Sequence, residues 1–248
     1  MDNNLLEIQN LDIFIKNNPI LLNINLKIEK GEFIFLKGAN GSGKTTFLNV
    51  LSGMNKEGNY SIQGKILFNN EYDILSLSVK NMHLYRRQRH FLEQTGPDFD
   101  TTVLRKFYDI VEIIFPGQLK ERDIYDFLEN YNAKSMFPGI NYEKLLRKKI
   151  SSMSEGQKKM ISILAGFMRA QYVKLLIADE PLNHLDSNNI KKIIDLFKVF
   201  RKKYPDLSII ITTHCQAFPQ PDKFLVINNK NIKPSPVSYQ HYDCYNLM

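Results

Sequence analysis

The chain has no tryptophan and only two cysteines, Cys215 and Cys244, among its 248 residues. Two cysteines cannot build a disulfide scaffold, and their spacing is not that of zinc ligands. They read as two unpaired thiols of a protein from a reducing compartment. No stretch approaches the roughly 18 uninterrupted apolar residues that a membrane-spanning helix needs. The opening residues, MDNNLLEIQN, put acidic and polar groups where a secretory leader needs basic ones, so export is not expected. There is no internal repeat and no low-complexity tract. What remains is ordinary for a globular protein, 43% hydrophobic and 24% charged, long enough for one large domain or one domain with an inserted lobe. The net charge of +7 points to contact with something acidic: a membrane headgroup face, nucleic acid or a nucleotide. Its basic runs, Arg86-Arg87-Gln88-Arg89-His90, Arg147-Lys148-Lys149 and Arg201-Lys202-Lys203, are short enough to be solvated helix faces.

The rest of the sequence is organised around residues 33–46. An apolar strand-type run, Phe33-Ile34-Phe35-Leu36, ends in a glycine-rich turn, and a helix-compatible segment over 44–51 follows at once. Gly38, Gly43, Lys44 and Thr45 satisfy G-x-x-x-x-G-K-[ST]. Glycines allow consecutive backbone N–H groups to curl around phosphate, and the helix N-terminus adds the positive end of its dipole. Gly38, Asn40, Gly41, Ser42, Gly43, Lys44, Thr45 and Thr46 are therefore the expected nucleotide-binding set. Lys44 would reach the β- and γ-phosphates, and the Thr45 hydroxyl would ligate Mg²⁺.

Around this loop the pattern alternates strand and helix. Strands are expected over 6–15 and 20–28, joined by a turn at Lys16-Asn17-Asn18-Pro19. Residues 60–68 read as strand, turn, strand. A short helix within 76–89 and a brief strand over 90–93 follow, broken at Gln94-Thr95-Gly96-Pro97. Between 99 and 150 the spacing of Val103, Leu104, Phe107, Ile110, Val111 and Ile114 is helical, with a second helix around Tyr125, Leu128 and Tyr131. A helix opens after Met153 and is supported by a Ser154/Gln157 capping box. The apolar run 173–178 is a buried parallel strand; a helix over 190–204, a strand over 207–212 and a closing hairpin complete the pattern.

The strand over 173–178 ends in Asp179 and Glu180, two carboxylates at the C-terminal edge of a core sheet. There Asp179 could hold Mg²⁺ and Glu180 could polarise an attacking water. With these residues in place the chain resembles the ABC-type ATPases from about residue 5 to residue 234. Met153-Ser154-Glu155-Gly156-Gln157 stands where that family has its signature, usually L-S-G-G-Q. Leu182-Asn183-His184-Leu185-Asp186 resembles its D-loop, and His214 its switch histidine.

The resemblance implies an α/β fold. It has a P-loop NTPase core with a mostly parallel sheet (residues 1–94 and 158–234), an N-terminal antiparallel β-subdomain, an inserted helical lobe (95–157) and a tail (235–248), all one domain. It implies Glu180, His214 and Gln94 as catalytic residues, with Gln88 as the alternative loop glutamine, and Thr45, Gln94 and Asp179 on Mg²⁺. Ser154, Gly156 and Gln157 would bind the γ-phosphate of a nucleotide on a second subunit, and Asp186 would connect the two sites. The implied function is ATP hydrolysis in the ATPase subunit of an ABC transporter. Such a subunit forms a homo- or heterodimer closing head to tail on two ATP molecules. It works with polytopic membrane subunits on the cytoplasmic face of the inner or plasma membrane, and no specific nucleic acid is expected. The alternative is a non-transport ABC ATPase acting on an assembly scaffold, a ribosome or nucleic acid. Two departures from the family pattern stand out: Glu155 occupies a signature glycine position, and the aromatic that stacks on adenine has no clear equivalent, with Phe14, Ile15 and Lys16 all near its place.

Overall fold

The computed structural model describes residues 3–54, 60–92, 100–114, 116–215 and 217–235. Strands β1 (Asn4–Ile15), β2 (Asn18–Glu29) and β3 (Phe33–Lys37) lead into helix α1 (Lys44–Leu51). After β4 (Tyr60–Phe68) and β5 (Tyr72–Asp73) come α2 (Met82–Arg86), β6 (Arg89–Leu92), α3 (Val103–Val111), α4 (Glu121–Asn130) and α5 (Tyr142–Arg147). The chain continues with α6 (Glu155–Ala170), β7 (Leu175–Asp179), α7 (Ser187–Lys203), β8 (Ser208–Thr212), β9 (Lys223–Asn228) and β10 (Asn231–Ser235). The strands form two sheets. One is antiparallel with order β2-β1-β4-β5; the other has order β10-β9-β3-β8-β7-β6 and is parallel except for β10.

The period of two along a strand decides how the central sheet is covered. Phe33, Phe35, Leu176, Ala178, Ile209 and Ile211 point into a core shared with α3–α7. Their neighbours Ile34, Leu36, Leu175, Ile177 and Ile210 point into a second core with α1 and the antiparallel sheet. Both faces are covered, which is why β3, β7 and β8 read as continuous apolar runs. On the first face, edge-to-face rings tie α6 to α7: Phe167 lies 4.7 Å from Phe197 and 4.4 Å from Phe200. Tyr131, just past α4, continues the row at 4.8 Å from Phe200. The helical segment between β6 and α6 leaves and re-enters through a short neck. In it Val103 donates to the Lys148 carbonyl, Ile150 donates to the Thr101 carbonyl, and Asp100 takes Lys149 at 3.1 Å and Ser151 at 2.8 Å.

The expected elements are present, with three differences. Residues 60–68 are one strand rather than two, because Gly64 (φ 103°) is not a turn glycine. A Cβ there would stand 2.5 Å from the Asn10 carbonyl of β1, so the glycine serves a close backbone approach. Helix α5 is too short for its periodicity to be read from sequence; Asn141 caps it by accepting from the Lys144 N–H. The basic run at 86–90 is only partly a solvated face, with Arg86 and Arg87 exposed but hydrogen-bonded and Arg89 and His90 inside. Arg86 donates to the Gly53 carbonyl, Arg87 to the Ile114 carbonyl at 2.7 Å, and Gln88 to the Tyr72 hydroxyl. Arg89 and His90 are buried. Burial first, then the charges of Arg169, Arg89 and Lys106, holds the His90 imidazole well below its usual range, so it stays neutral.

Helix α6 packs against β6 closely enough to require Gly166. A Cβ at that position would stand 2.8 Å from His90 Nε2 and closer still to Leu92 Cδ2. Alanine is favoured over glycine in a helix interior by about 1 kcal/mol, whereas overpacking a tight core costs about 1–3 kcal/mol. Packing wins: Gly166→Ala is expected to destabilise the fold by roughly 1–2 kcal/mol, read as a lower urea midpoint at unchanged slope. A midpoint equal to or above that of the parent would show that the α6–β6 contact yields.

Candidate functional site

The strand order β3-β8-β7 puts three C-terminal strand ends side by side, and the loops leaving them converge on one edge of the sheet. From β3 comes the glycine loop. Gly43 has φ 103° and caps α1, whose first residue is Lys44. The Lys44 ammonium lies across the loop, donating to the carbonyls of Gly38 (2.8 Å) and Ala39 (3.1 Å). From β7 come Asp179, buried, and Glu180, whose φ of 45° puts a non-glycine residue in the left-handed region. Such backbone conformations cost of order 1–3 kcal/mol and gather at functional sites. From β8 come Thr212 and, two residues on, His214.

Hydroxyls bind these three ends together. Asp179 Oδ2 accepts from Thr45 Oγ1 at 2.7 Å, and Asp179 Oδ1 accepts from Thr212 Oγ1 at 2.5 Å. The Glu180 N–H donates to Thr212 Oγ1 at 2.9 Å and to the Thr212 carbonyl at 3.2 Å. His214 Nε2 stands 3.3 Å from Glu180 Oε1. The Glu180 carboxylate is only 12% exposed, against 68% for the His214 side chain. Burial raises the Glu180 pKa and Asp179 adds to the rise, while His214 and Lys44 pull it back. A half-buried lysine on α6, Lys159, is pushed down to about 8 by burial, against the upward pull of Asp179 and Glu180. A cavity of about 570 Å³ is lined by Asn40, Gly41, Gly43 and Lys44 to Thr46 on one side and by Asp179, Glu180, Asn183 and His214 on the other, with Ile20. A second, of about 220 Å³, adjoins Lys37, Gly38, Lys44, Glu180 and His214.

The structure therefore gathers the loop residues, Asp179, Glu180 and His214 around one space. It does not bring Ser154, Gly156, Gln157 or Asp186 to line that space. Ser154 caps α6, accepting from the Gln157 N–H at 3.3 Å, while Gln157 Oε1 accepts the Ser154 N–H, the reciprocal pair read from the sequence. Asp186 caps α7 by accepting from the Asn189 backbone and side chain. The α6 N-terminus faces the loop after β7, where a Cβ on Gly156 would stand 3.7 Å from the His184 carbonyl. Gln94 lies outside the described residues. Phe14 is paired within the antiparallel sheet opposite Pro19 and Ser61 and does not line the cavity; Ile20 does. Cys215, beside His214, is disulfide-bonded rather than the free thiol expected, while Cys244 lies outside the described residues. Sequence reasoning missed Thr212 altogether. Its signal was a threonine closing a buried strand two residues before the histidine.

Residues 21–183 match the model of the ABC transporter family. The chain is 31% identical over 242 residues to the probable ABC transporter ATP-binding protein p29 of Mesomycoplasma hyorhinis, covering 92% of this chain and 89% of that one. It is 31% identical to the uncharacterised ABC transporter ATP-binding protein YclH of Bacillus subtilis, covering 85% and 87%. Among solved structures it is similar to cbiO1 of Clostridium perfringens, described as part of the ABC transporter complex cbiONQ. That likeness has a TM-score of 0.70 and 25% identity, covering 94% of this chain and 88% of that one. It shares its fold with a dimeric ATP-binding cassette in a post-hydrolysis state with ADP and phosphate, at TM-score 0.76 and 19% identity, covering 93% and 97%.

Removing the Thr212 hydroxyl would deprive both Asp179 Oδ1 and the Glu180 N–H of a partner. Thr212→Val, close to isosteric, is expected to cost about 1–3 kcal/mol of stability for the buried Asp179 oxygen left unpaired, the Glu180 N–H keeping the Thr212 carbonyl. It should also lower nucleotide hydrolysis by about tenfold or more, because both carboxylates lose their positioning. Urea unfolding and steady-state hydrolysis read the two effects; a variant with parent stability and rate would remove Thr212 from the site.

Proposed function

The chain belongs to the ABC transporter family as an ATP-binding, ATP-hydrolysing subunit, and from that premise we propose which of its residues carry the reaction. The observation that supports the assignment best is the pair of hydroxyl bonds on Asp179, which fix the glycine loop, Glu180 and His214 around one cavity. The backbone N–H groups of residues 38–46 wrap the phosphates, helped by the α1 dipole, and Lys44 turns from the loop carbonyls to the β- and γ-oxygens. Glu180 accepts the proton of the water that attacks the γ-phosphorus. Its burial, with an elevated pKa, suits a general base better than a fully solvated carboxylate would. His214, exposed and in contact with Glu180, orients that carboxylate and meets the γ-phosphate as it becomes phosphate ion.

Thr45 and Asp179 are neighbouring hard oxygen donors of the kind that Mg²⁺ takes together with nucleotide phosphates, and Gln94 completes the set by resemblance. Bound there, the ion would neutralise charge developing between the β- and γ-phosphates.

Ser154, Gly156 and Gln157 sit at the start of a 16-residue helix and do not line their own chain's cavity. That supports a head-to-tail pairing in which they bind the nucleotide held by a second ATPase subunit, with Asp186 between the two sites. No helix among the described residues is long and apolar enough to cross a membrane. Polytopic membrane subunits are the partners that closure of the pair would move, with the chain held by them at the cytoplasmic face; the likeness to cbiO1, described as part of an ABC transporter complex, supports a multi-subunit assembly.

Glu180→Gln keeps shape and removes the base. It is expected to retain ATP binding, to lower hydrolysis by about 10²–10⁴-fold, and to accumulate as an ATP-dependent dimer in size-exclusion chromatography with light scattering. Hydrolysis at the parent rate would assign the base elsewhere.

A further inference from the structure

We propose that the exposed face of helix α7 is an electrostatic docking surface for an anionic bilayer, holding the chain against acidic lipid headgroups in addition to its membrane subunits. The proposal rests on the reading of the chain as an ATPase subunit that works at the cytoplasmic face.

Helix α7 turns its apolar stripe, Ile190, Ile193, Ile194, Leu196, Phe197 and Phe200, into the core. Five lysines and a single carboxylate, Asp195, lie outside that stripe. Lys191, Lys198 and Lys202 are exposed and spaced i, i+7, i+11. On a helix of 3.6 residues per turn they fall within about 40° of one line and span about 16 Å. Lys192 and Lys203 flank that row on the side of the helical lobe. Lys192 Nζ donates to the Ser135 carbonyl at 2.6 Å, and Lys203 Nζ stands 5.2 Å from the centre of the Tyr131 ring. The Ser135 contact brings the exposed Lys134 to the same flank. Arg201, the remaining cation of the helix, is turned to Asp222 and does not join them.

The fold alone does not account for this charge. A helix C-terminus favours cations, which accommodates Lys202 and Lys203. Lys191 lies in the N-terminal half, where the dipole gives it nothing. Like Lys202, it makes no hydrogen bond or ion pair among the described residues. Asp195 offsets one charge only, through Lys198 at 3.0 Å. Val199, 50% exposed, lies one turn from Lys202 and Lys203 and leaves an apolar side chain among them.

A straight row of lysines on a convex helix can touch a flat anionic surface along its whole length. Each lysine near such a surface strengthens binding by about fivefold, within a Debye length of about 8 Å at physiological salt. Nucleic acid fits this face less well. The row offers no arginine fork to phosphates or base edges. The Tyr131 and Tyr204 rings are packed against Phe200 at 4.8 and 5.1 Å rather than free to stack on bases. Because the apolar stripe stays in the core, the helix lies on the headgroups without inserting, so the attachment is reversible and salt-dependent.

Co-sedimentation of the full chain with lipid vesicles tests this. The parent is expected to bind phosphatidylcholine vesicles containing about 30% phosphatidylglycerol, to ignore pure phosphatidylcholine, and to be released at about 1 M salt. Lys191→Gln/Lys202→Gln should lower the partition coefficient by about 25-fold, two charges at about fivefold each, with ATP hydrolysis in solution unchanged. Lys30→Gln/Lys65→Gln removes the same net charge from exposed positions on and beside the antiparallel sheet, and should change binding by less than about twofold. Equal losses in the two double variants would trace the binding to net charge rather than to this face and overturn the proposal, as would a parent that binds no anionic vesicle. Tighter binding to poly(U) RNA or to poly-glutamate at equal charge would assign the face to that partner and equally overturn it. The assay contains no membrane subunit, so its outcome is independent of the transporter reading. That reading fails separately, if no polytopic protein co-purifies with the tagged chain from detergent-solubilised membranes.

Discussion

Asp179 takes a hydroxyl on each carboxylate oxygen, Thr45 from the start of α1 and Thr212 from the end of β8. Those two bonds join segments 134 and 33 residues away in the chain. A buried carboxylate without partners would be expensive, so the sheet can bring Asp179 to this depth only with both hydroxyls in place. Thr212 also takes the Glu180 N–H, so the same group that stabilises one carboxylate aims the backbone of the next. The left-handed φ at Glu180 is held by this arrangement, and its carboxylate stands 3.3 Å from His214 Nε2.

The strand order supplies the distances. Because β8 lies between β3 and β7, with Asp179 paired opposite Thr212, the phosphate loop and the carboxylates flank a strand end whose last side chain holds Asp179 and the Glu180 N–H. Full burial of both sheet faces then fixes the register, since a slip of one residue would exchange Phe35 and Ile211 with their neighbours across two cores of different shape. Rigidity at the site thus follows from packing many residues away.

Much of this was legible in the sequence for physical reasons. The helix over 44–51 begins and ends where expected, because glycine chemistry on one side and apolar periodicity on the other leave little choice. The parallel strands followed from unbroken apolar runs, while the antiparallel subdomain was expected only through the family resemblance. What stayed hidden depends on long-range proximity. Gly64 reads as a turn glycine until β1 is seen pressed against it. The arginines at 86–89 read as a charged face until the carbonyls of Gly53 and Ile114 are found under them. Thr212 has no periodicity or motif of its own, and its role exists only because β7 is its neighbour. The signature residues were legible as a helix start, and the single chain brings them only that far.

The substitution at Glu155 fits the same logic of local compensation. A carboxylate at the first turn of α6 favours the helix through its dipole, but it would oppose a triphosphate docking there. Lys158, one turn on, pairs with Glu155 at 2.8 Å. Lys158 is largely buried and Glu155 exposed, and the pair cancels the net charge of the turn. The positive helix end and the N–H groups then remain the dominant field toward an approaching anion. Ser154 is compatible with that arrangement. Its hydroxyl uses an acceptor lone pair on the Gln157 N–H, and a hydroxyl has one donor besides its two acceptors. The cap that starts the helix therefore leaves the Ser154 proton available to a phosphate oxygen, so the same residue can hold the fold and meet a ligand without breaking either contact.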